Sequence, residues 1–245
     1  MRYIKNTVHC LLFVTCFTVL LCSCKAAIKK DTAPIKPMPQ RHHSCIAAFY
    51  NFENFYDTIN NQVVDDEEFL PSGAKHYSSF IYNKKVSNLA TVVQKIGADI
   101  NDDGPAILGA VEIENDTVLQ DLIRHPLLKN RGYLFVHENS KDLRGIDVAL
   151  LYQPKYFKPL IHKSLTVQLP SRNKLPYFTR DILYVKGVLL NDTVHIYVNH
   201  WPSRRGGQKR STESRSIAAR VCRSHINTLF AEDPAAKIIV MGDLN

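Results

Sequence analysis

The sequence lacks the features of several protein classes. No two of its six cysteines have the CxxC spacing of a zinc site, and no segment repeats. Twelve prolines and ten glycines are spread along 245 residues, which excludes a collagen-like or low-complexity chain. The apolar run from Leu11 to Leu21 is shorter than the roughly 20 residues that a helix needs to cross a bilayer. The remaining composition is globular, 45% hydrophobic and 22% charged, and predicts one compact domain.

The first residues have the pattern of a targeting segment. Arg2 and Lys5 precede the apolar run, and the stretch LCSC that ends at Cys24 resembles the lipobox of bacterial lipoproteins. This resemblance implies cleavage before Cys24 and lipidation of its thiol; a plain secretory signal or a short anchor is the alternative. The proline-containing segment 24–43 has no periodic apolar face and is typical of an extended tether. We therefore expect a signal peptide at 1–23, a tether at 24–43, a folded domain at 44–245, and a lipid-anchored location in the bacterial cell envelope, periplasmic or on the cell surface.

Cysteine usage and charge leave two questions open. Cleavage and lipidation would leave only Cys45 and Cys222, which could pair in an oxidising envelope or be separate buried side chains. The net charge of +8 favours phosphate-rich partners by long-range attraction, but it is also common in envelope proteins without such partners. Neither feature alone defines a function.

Seven short apolar runs rich in branched and aromatic residues predict buried strands. They are Cys45–Phe52, Pro105–Val111, Tyr133–Glu138, Ile146–Tyr152, Ile182–Leu190, Val194–His200 and Lys237–Met241. A tight turn is expected at Asn191 and Asp192.

Two helical patterns lie between these runs. One has apolar residues at three- and four-residue spacing up to Ile96, with Gly97 placed to end it. The other covers the segment before residue 231, with Ser211 or Thr212 as the expected N-cap. Strand and helix alternate at both ends of the domain, whereas the middle is strand after strand. The order predicts an α/β fold in which helices cover sheets.

Four of the predicted strands end on a polar head group. These residues are Asn51, Glu112, His200, and Asp243 with Asn245. Each could be structural by itself, but several polar groups buried together without a ligand would be costly. Because ligand sites of α/β proteins collect where strand ends meet, we expect one site.

The residue types indicate the chemistry of that site. Carboxylates with amide oxygens suit magnesium or calcium better than zinc, and a histidine can exchange protons near neutral pH. Arg180, Arg204 and Arg205 could bind an anion in bidentate fashion, or the last two could form a solvated basic turn. Together these features predict metal-assisted attack on a phosphate ester.

The ordered motifs carry a family resemblance. They are YNFENFYD, GAVEIEN, RGIDVALLY, VNHWPSRRGG followed by RSIAAR, and MGDLN. This set resembles the endonuclease/exonuclease/phosphatase superfamily, which includes deoxyribonuclease I-like nucleases, and most closely its secreted bacterial branch. The resemblance implies a four-layer sandwich of two mixed β-sheets flanked by helices.

The same resemblance implies residue roles. Glu112 would be the main ligand of Mg²⁺ or Mn²⁺, helped by Asn51, although Glu114 on the same strand face competes for that role. His200, oriented by Asp147, would contact the scissile phosphate, and Asp243 would activate the attacking water. Asn245 and the arginines, Arg180 above all, would bind phosphate oxygens.

The resemblance also leaves alternatives. Family members continue beyond the GDLN motif to further strands and a terminal Asp-His pair, so we expect that this chain lacks its C-terminal part, including part of the second sheet, and is inactive or weakly active. The predicted activity is that of a phosphodiesterase or endonuclease acting on nucleic acid, in a monomer tethered to the membrane by its lipid. A phosphomonoesterase of the same fold and a non-catalytic, lipid-anchored binder of phosphate and metal are the other interpretations.

Overall fold

The computed structural model describes residues 45–172, 174–204 and 207–245. The predicted signal peptide, the tether, Cys24 and Arg205 lie outside these ranges. In the described part, no helix is long and apolar enough to span a membrane. Cys45 and Cys222 are both free thiols, so the structure contains them as separate side chains.

Ten strands and three α-helices form the described part of the chain. In order they are β1 (Ile46–Phe55), α1 (Ser79–Lys95), β2 (Pro105–Ile113), α2 (Asp116–Arg124), β3 (Leu134–His137), β4 (Asp147–Tyr152), β5 (Phe157–Leu165), β6 (Gln168–Arg172), β7 (Leu175–Phe178), β8 (Ile182–Leu189), β9 (Asp192–His200), α3 (Gln208–Glu232) and β10 (Lys237–Asp243). Short 3₁₀ turns occur at Glu67–Phe69 and Lys129–Arg131.

The strands form two four-stranded sheets and one hairpin. The first sheet has the order β1-β2-β4-β3, and the second has the order β10-β9-β8-β5. Each sheet is mixed, because β1 and β2 are parallel, as are β9 and β10, whereas the other pairs are antiparallel. Strands β6 and β7 pair separately.

The core consists of three hydrophobic clusters, because side chains alternate between the two faces of each sheet. In β2, Leu108 and Ala110 pack toward α1 and α2, while Ile107 and Val111 pack against the second sheet. On the far side of that second sheet, Tyr197 packs with side chains of α3. This period-two alternation lets each sheet bury both faces. The result is the predicted four-layer arrangement of helices, sheet, sheet and helix.

Strands β5 to β7 and helix α2 were not predicted from the sequence. Strand β5 lies at the edge of its sheet, is mostly exposed, and contains Pro159 at a register shift, so it has no continuous apolar run. Helix α2 occupies a segment for which no helical pattern was predicted. Its N-cap, Asn115, accepts a hydrogen bond from the Val118 N–H, and three apolar residues pack into the core: Val118, Leu119 and Leu122.

The predicted helix ends are partly wrong. Helix α3 begins at Gln208 with Gly207 as N-cap, so Ser211 and Thr212 lie inside its first turns. The Ser211 hydroxyl donates to the Gly207 carbonyl, a local bond that suits a helix interior better than a cap. Gly97, by contrast, follows the end of α1 in a left-handed conformation, as predicted.

Candidate active site at the carboxyl ends of the central strands

The ends of two parallel strand pairs meet at one end of the sandwich. In the second sheet, Asp243 lies beside His200 in register. Asn51 lies within β1, where the regular register with β2 is interrupted, and its side-chain amide donates to Glu112 Oε1 (3.1 Å) and to Asp243 Oδ2 (3.2 Å). One amide group therefore joins carboxylates from both sheets, and four predicted site residues are within one cluster.

Local backbone distortion turns Glu112 toward this cluster. The register between β2 and β4 shifts between Val111 and Ile113, and Glu112 has φ 62. Glu53 and Asn54 on β1 also have positive φ, and the Asn54 N–H donates to Glu112 Oε2 at 2.7 Å. Non-glycine residues in this region are strained, and such strain concentrates at functional sites.

His200 is buried next to Glu112. Its side chain is 4% exposed, and its Nε2 lies 3.7 Å from Glu112 Oε1. Burial, reinforced by the positive charges of Arg180 and Arg144, lowers the pKa of His200 to about 2. The imidazole is therefore neutral at physiological pH, with one N–H to donate and one nitrogen to accept. Its Nδ1 has no hydrogen-bond partner in the described part of the chain.

The expected contact between Asp147 and His200 is not formed. Asp147 Oδ1 accepts the Ser140 N–H at 3.1 Å, and no hydrogen bond joins this carboxylate to the imidazole among the described residues. Burial raises the pKa of Asp147 to about 6. The chain turns at Ser140, and its backbone uses the carboxylate that was expected to orient His200.

Asn245 and Asp243 form a tight terminal turn. The Asn245 N–H donates to Asp243 Oδ1 (3.0 Å), and its side-chain amide donates to the Trp201 carbonyl (3.0 Å). The Trp201 N–H in turn donates to the Asp243 carbonyl at 2.9 Å. The segment that follows His200 and the segment that follows β10 are thus held together by backbone and amide contacts.

Of the two predicted arginines that the structure describes, Arg180 is the more deeply buried. It is 7% exposed; its Nη2 donates to the Trp201 carbonyl (3.0 Å), and its Nη1 lies 3.5 Å from Asp142 Oδ2. Its Nε has no partner within the described ranges, which leaves one buried donor unused. Arg204 is exposed and donates from Nε to the Asn245 carbonyl.

Arg144 is a residue of the site that the sequence reasoning missed. Its Nη2 donates to Asn54 Oδ1 at 2.9 Å, and its charge contributes to the low pKa of His200. Arg144 is the first residue of the RGIDVALLY motif, in which only the strand residue Asp147 was predicted to have a role. Two arginines from different loops therefore place positive charge beside the cluster.

The structure separates the two competing glutamates. Glu114 is 4% exposed, and its Oε2 accepts the Asp57 N–H at 2.7 Å. Burial raises the pKa of Glu114 to about 8, and the charges of Asp57 and Asp66 raise it further although the Asp57 N–H opposes this. A carboxyl that holds its proton at neutral pH is a poor metal ligand, whereas Glu112 faces Asn51 and Asp243.

Glu114→Gln is expected to flatten the pH dependence of stability without affecting metal affinity. Because the folded-state pKa of Glu114 lies above its unfolded value, folding favours its protonated form, and stability is lost as pH rises from about 4.5 to about 8. Glutamine has no proton to lose. From pH 5 to pH 9 the free energy of unfolding should therefore fall by at least ~1 kcal/mol less in the variant than in the wild type. Urea unfolding at both pH values measures the difference; an unchanged difference, or weaker Mn²⁺ binding, would contradict this assignment.

The donor set at the strand ends fits a hard divalent cation. Among the described residues, no three His, Cys, Asp or Glu side chains lie close enough to enclose a metal by themselves. Mg²⁺ does not require such a cage, because it is commonly held by one or two carboxylates together with water and substrate phosphate. Glu112 and Asp243, joined by Asn51, present that pattern.

Comparison with known proteins agrees with this architecture. A family described as Endonuclease/Exonuclease/phosphatase matches residues 45–245. A mannosyl-6-phosphatase of Bacteroides thetaiotaomicron is 15% identical, with 82% of this chain and 66% of that chain covered and a TM-score of 0.54. Truncated TDP2 of Caenorhabditis elegans is 20% identical, with 65% and 56% covered and a TM-score of 0.48.

A third similar structure is ANGEL2, a 2',3'-cyclic phosphatase, at 16% identity, 68% and 44% coverage and a TM-score of 0.47. This chain therefore spans less than two thirds of the length of each of the three structures. Comparison with curated protein sequences found no match. On the match over residues 45–245, the chain belongs to the endonuclease/exonuclease/phosphatase family.

Proposed function

We propose that this protein hydrolyses phosphate esters with the help of Mg²⁺ or Mn²⁺, and that it is a phosphodiesterase or endonuclease acting on nucleic acid. The observation that carries the proposal is the Asn51 amide, which links Glu112 to Asp243 beside a buried, neutral His200. Carboxylates and a neutral imidazole at one point supply both a place for a cation and groups that move protons.

Each residue has a task in this proposal. Glu112 would hold the cation, helped by Asn51, whose amide donates to Glu112 and Asp243 and would keep the two carboxylates in place while its Oδ1 accepts the Glu53 N–H. The cation would neutralise phosphate charge and polarise a phosphoryl oxygen.

Asp243 accepts a proton from the attacking water, and the Asn245 backbone N–H holds the Asp243 carboxylate in place through its bond to Oδ1. The Asn245 side chain binds a phosphate oxygen in this proposal. The neutral His200 carries one N–H, which donates to a phosphate oxygen.

Positive charge beside the cluster supports an anionic substrate. Arg180 has an unused buried Nε, and Arg144 and Arg204 lie on neighbouring loops. A guanidinium N–H without a partner can donate a charge-assisted hydrogen bond to a phosphate oxygen. Nucleic acid is the substrate class in line with the net charge of +8.

The remaining expectations from the sequence belong to the same proposal. The protein is placed in the cell envelope as a monomer, attached to the membrane by a lipid on Cys24. Labelling of cells with radioactive palmitate tests this attachment: a product that stays labelled after Cys24→Ala would overturn it.

Hydrolysis of bis(p-nitrophenyl) phosphate tests the activity. We expect turnover with Mg²⁺ or Mn²⁺, none with a chelator, nicking of plasmid DNA, and slower release from p-nitrophenyl phosphate. Mn²⁺-dependent binding of inorganic phosphate is measured in parallel, because binding tests the cation and phosphate sites independently of turnover. A protein that binds neither Mn²⁺ nor phosphate would overturn the proposal, and faster release from the monoester would favour the phosphomonoesterase alternative.

A further inference from the structure

A turn of the backbone at Glu53 and Asn54 supplies two hydrogen bonds to the proposed cation site. The Glu53 N–H donates to Asn51 Oδ1 at 2.7 Å. The Asn54 N–H donates to Glu112 Oε2, also at 2.7 Å. Glu53 and Asn54 both have positive φ (54 and 56), and backbone in this region is strained and persists only where surrounding contacts hold it. The placement of Asn51 and Glu112 therefore depends on the contacts that hold this turn.

The Glu53 backbone needs support from outside the turn. Asparagine enters the left-handed region readily because its short side chain bonds locally, but glutamate rarely does. Glu53 is exposed, so burial of its side chain cannot fix its backbone. The neighbouring Phe52 and Phe55 are fully buried and anchor the two ends of the turn. This leaves the peptide group between Glu53 and Asn54 to be held by other contacts.

Lys85, on helix α1, provides such a contact. Its ammonium donates to the Glu53 carbonyl at 3.1 Å. Tyr82, three residues earlier on the helix, stacks on Phe55 with ring centroids 6.2 Å apart, so this packing holds α1 next to the turn. Burial lowers the pKa of Lys85, and the negative charges of Glu53 and Glu112 oppose that shift. The ammonium therefore lies close enough to Glu112 to interact with its charge.

One peptide group links Lys85 to Glu112. The Glu53 carbonyl and the Asn54 N–H belong to the same planar unit, so the ammonium binds one end of it and the Glu112 carboxylate binds the other. A positive charge at the carbonyl oxygen fixes the plane of this peptide and polarises its N–H, which strengthens the bond to the carboxylate. If the peptide rotated, Glu112 would lose its backbone donor.

We infer that Lys85 is a positioning residue of the cation site, which acts on Glu112 through the peptide between Glu53 and Asn54. The inference rests on the proposed function, because Glu112 must hold a cation there. Groups that hold a metal ligand in place through hydrogen bonds contribute to metal affinity although they do not touch the metal.

The sign of the effect distinguishes positioning from simple electrostatics. A positive charge near Glu112 would by itself repel a cation, so its removal would tighten Mn²⁺ binding. A positioning group has the opposite effect, because without it Glu112 is no longer held in the geometry that the cation needs. Loss of the Lys85 ammonium should therefore weaken Mn²⁺ binding.

Calorimetric titration of the whole chain with Mn²⁺ tests this role. Lys85→Met keeps the length of the side chain but removes its charge and its donors, and it should weaken Mn²⁺ binding by about tenfold or more. Lys85→Arg keeps a charged donor and should recover most of the lost affinity. Lys84→Met removes an equal charge from an exposed neighbouring position on α1, and this matched control should bind like the wild type.

Three results would contradict the inference. The first is unchanged or tighter Mn²⁺ binding in Lys85→Met at a native unfolding temperature, and the second is an equal loss in Lys85→Arg. The third is an equal loss in Lys84→Met, because the effect would then come from charge on α1 in general. Should Lys85→Met unfold, Lys85→Gln takes its place with the same expected loss, because its shorter side chain carries no charge.

Wild-type binding separates this inference from the proposed function. If the wild type binds Mn²⁺ and Lys85→Met binds it equally well, only the inference fails. If the wild type does not bind Mn²⁺, the proposed function fails and the inference fails with it.

Amide NMR of the metal-free protein provides a readout that does not depend on Mn²⁺. A short hydrogen bond to a carboxylate shifts an amide proton downfield, so the Asn54 amide proton should move upfield in Lys85→Met. The amide proton of Leu89, in the interior of α1, should keep its position and show that the helix is intact. An Asn54 signal that stays in place would overturn the inference, because the peptide would then keep its bond to Glu112 without Lys85.

Discussion

Glu112→Gln is expected to reduce the affinity for Mn²⁺ by at least about 100-fold, which corresponds to about 2.8 kcal/mol. The change removes a charge but keeps one oxygen and nearly the same volume. Glu112 is the carboxylate that contacts Asn51, the Asn54 N–H and His200, so it lies at the centre of the proposed cation site. Calorimetric titration with Mn²⁺ measures the effect.

The unfolding temperature provides a second, independent measurement. Mn²⁺ at about 100 times its dissociation constant should stabilise the wild type by roughly 2.7 kcal/mol, and this gain should disappear in Glu112→Gln. Without metal, the two proteins should differ by less than about 1 kcal/mol, because glutamine can still accept from Asn54. Glu67→Gln, an exposed glutamate on the 3₁₀ turn, should behave like the wild type. If the glutamine variant keeps the full stabilisation by Mn²⁺, Glu112 is not the ligand.

The sequence could predict the polar strand ends because β2 and β9 are buried along almost their whole length, and the edge strands β1 and β10 also contain short apolar runs. A doubly buried strand is a continuous apolar run, so a polar residue at its end stands out. The four residues found this way are brought together, with Asn51 between Glu112 and Asp243. Their meeting across two sheets followed from the family resemblance, since nothing in a single run specifies which sheet it joins.

The choice between Glu112 and Glu114 could not be made from the sequence. Regular alternation puts both side chains on one face of β2, and only the register shift with φ 62 at Glu112 separates them. That distortion directs Glu112 to the cluster and leaves Glu114 buried with a raised pKa. A backbone irregularity of one residue has no signature in residue type, because glutamate is not a usual residue at positive φ.

Loop residues were predicted least well, for a related reason. Arg144 reaches Asn54, 90 positions away in the chain, and Asp147 is taken by the Ser140 backbone. Such contacts depend on how loops fold over the strand ends, which periodicity does not encode. The edge strand β5 was missed because its exposed residues carry no apolar run.

Gly242→Ala is expected to be the most destabilising single change near the site, at a cost of at least about 3 kcal/mol. Gly242 has φ 144, and a Cβ there would lie 2.0 Å from the Asn199 carbonyl oxygen and under 3 Å from two further backbone atoms of that residue. Because the obstacle is the backbone of β9, relief requires β10 to move away from its partner strand. That movement breaks the contact of the Asn199 side chain with the Met241 carbonyl and displaces Asp243, so Mn²⁺ affinity should fall together with stability.

Gly132→Ala is the matched control, since Gly132 also has positive φ (65) but nothing lies within 4 Å of its added Cβ. This variant should lose only about 1 to 2 kcal/mol of unfolding free energy and keep its Mn²⁺ affinity. Urea unfolding of both variants separates backbone strain from steric displacement, and equal losses in the two proteins would show that β10 does not need this glycine to hold Asp243 in place.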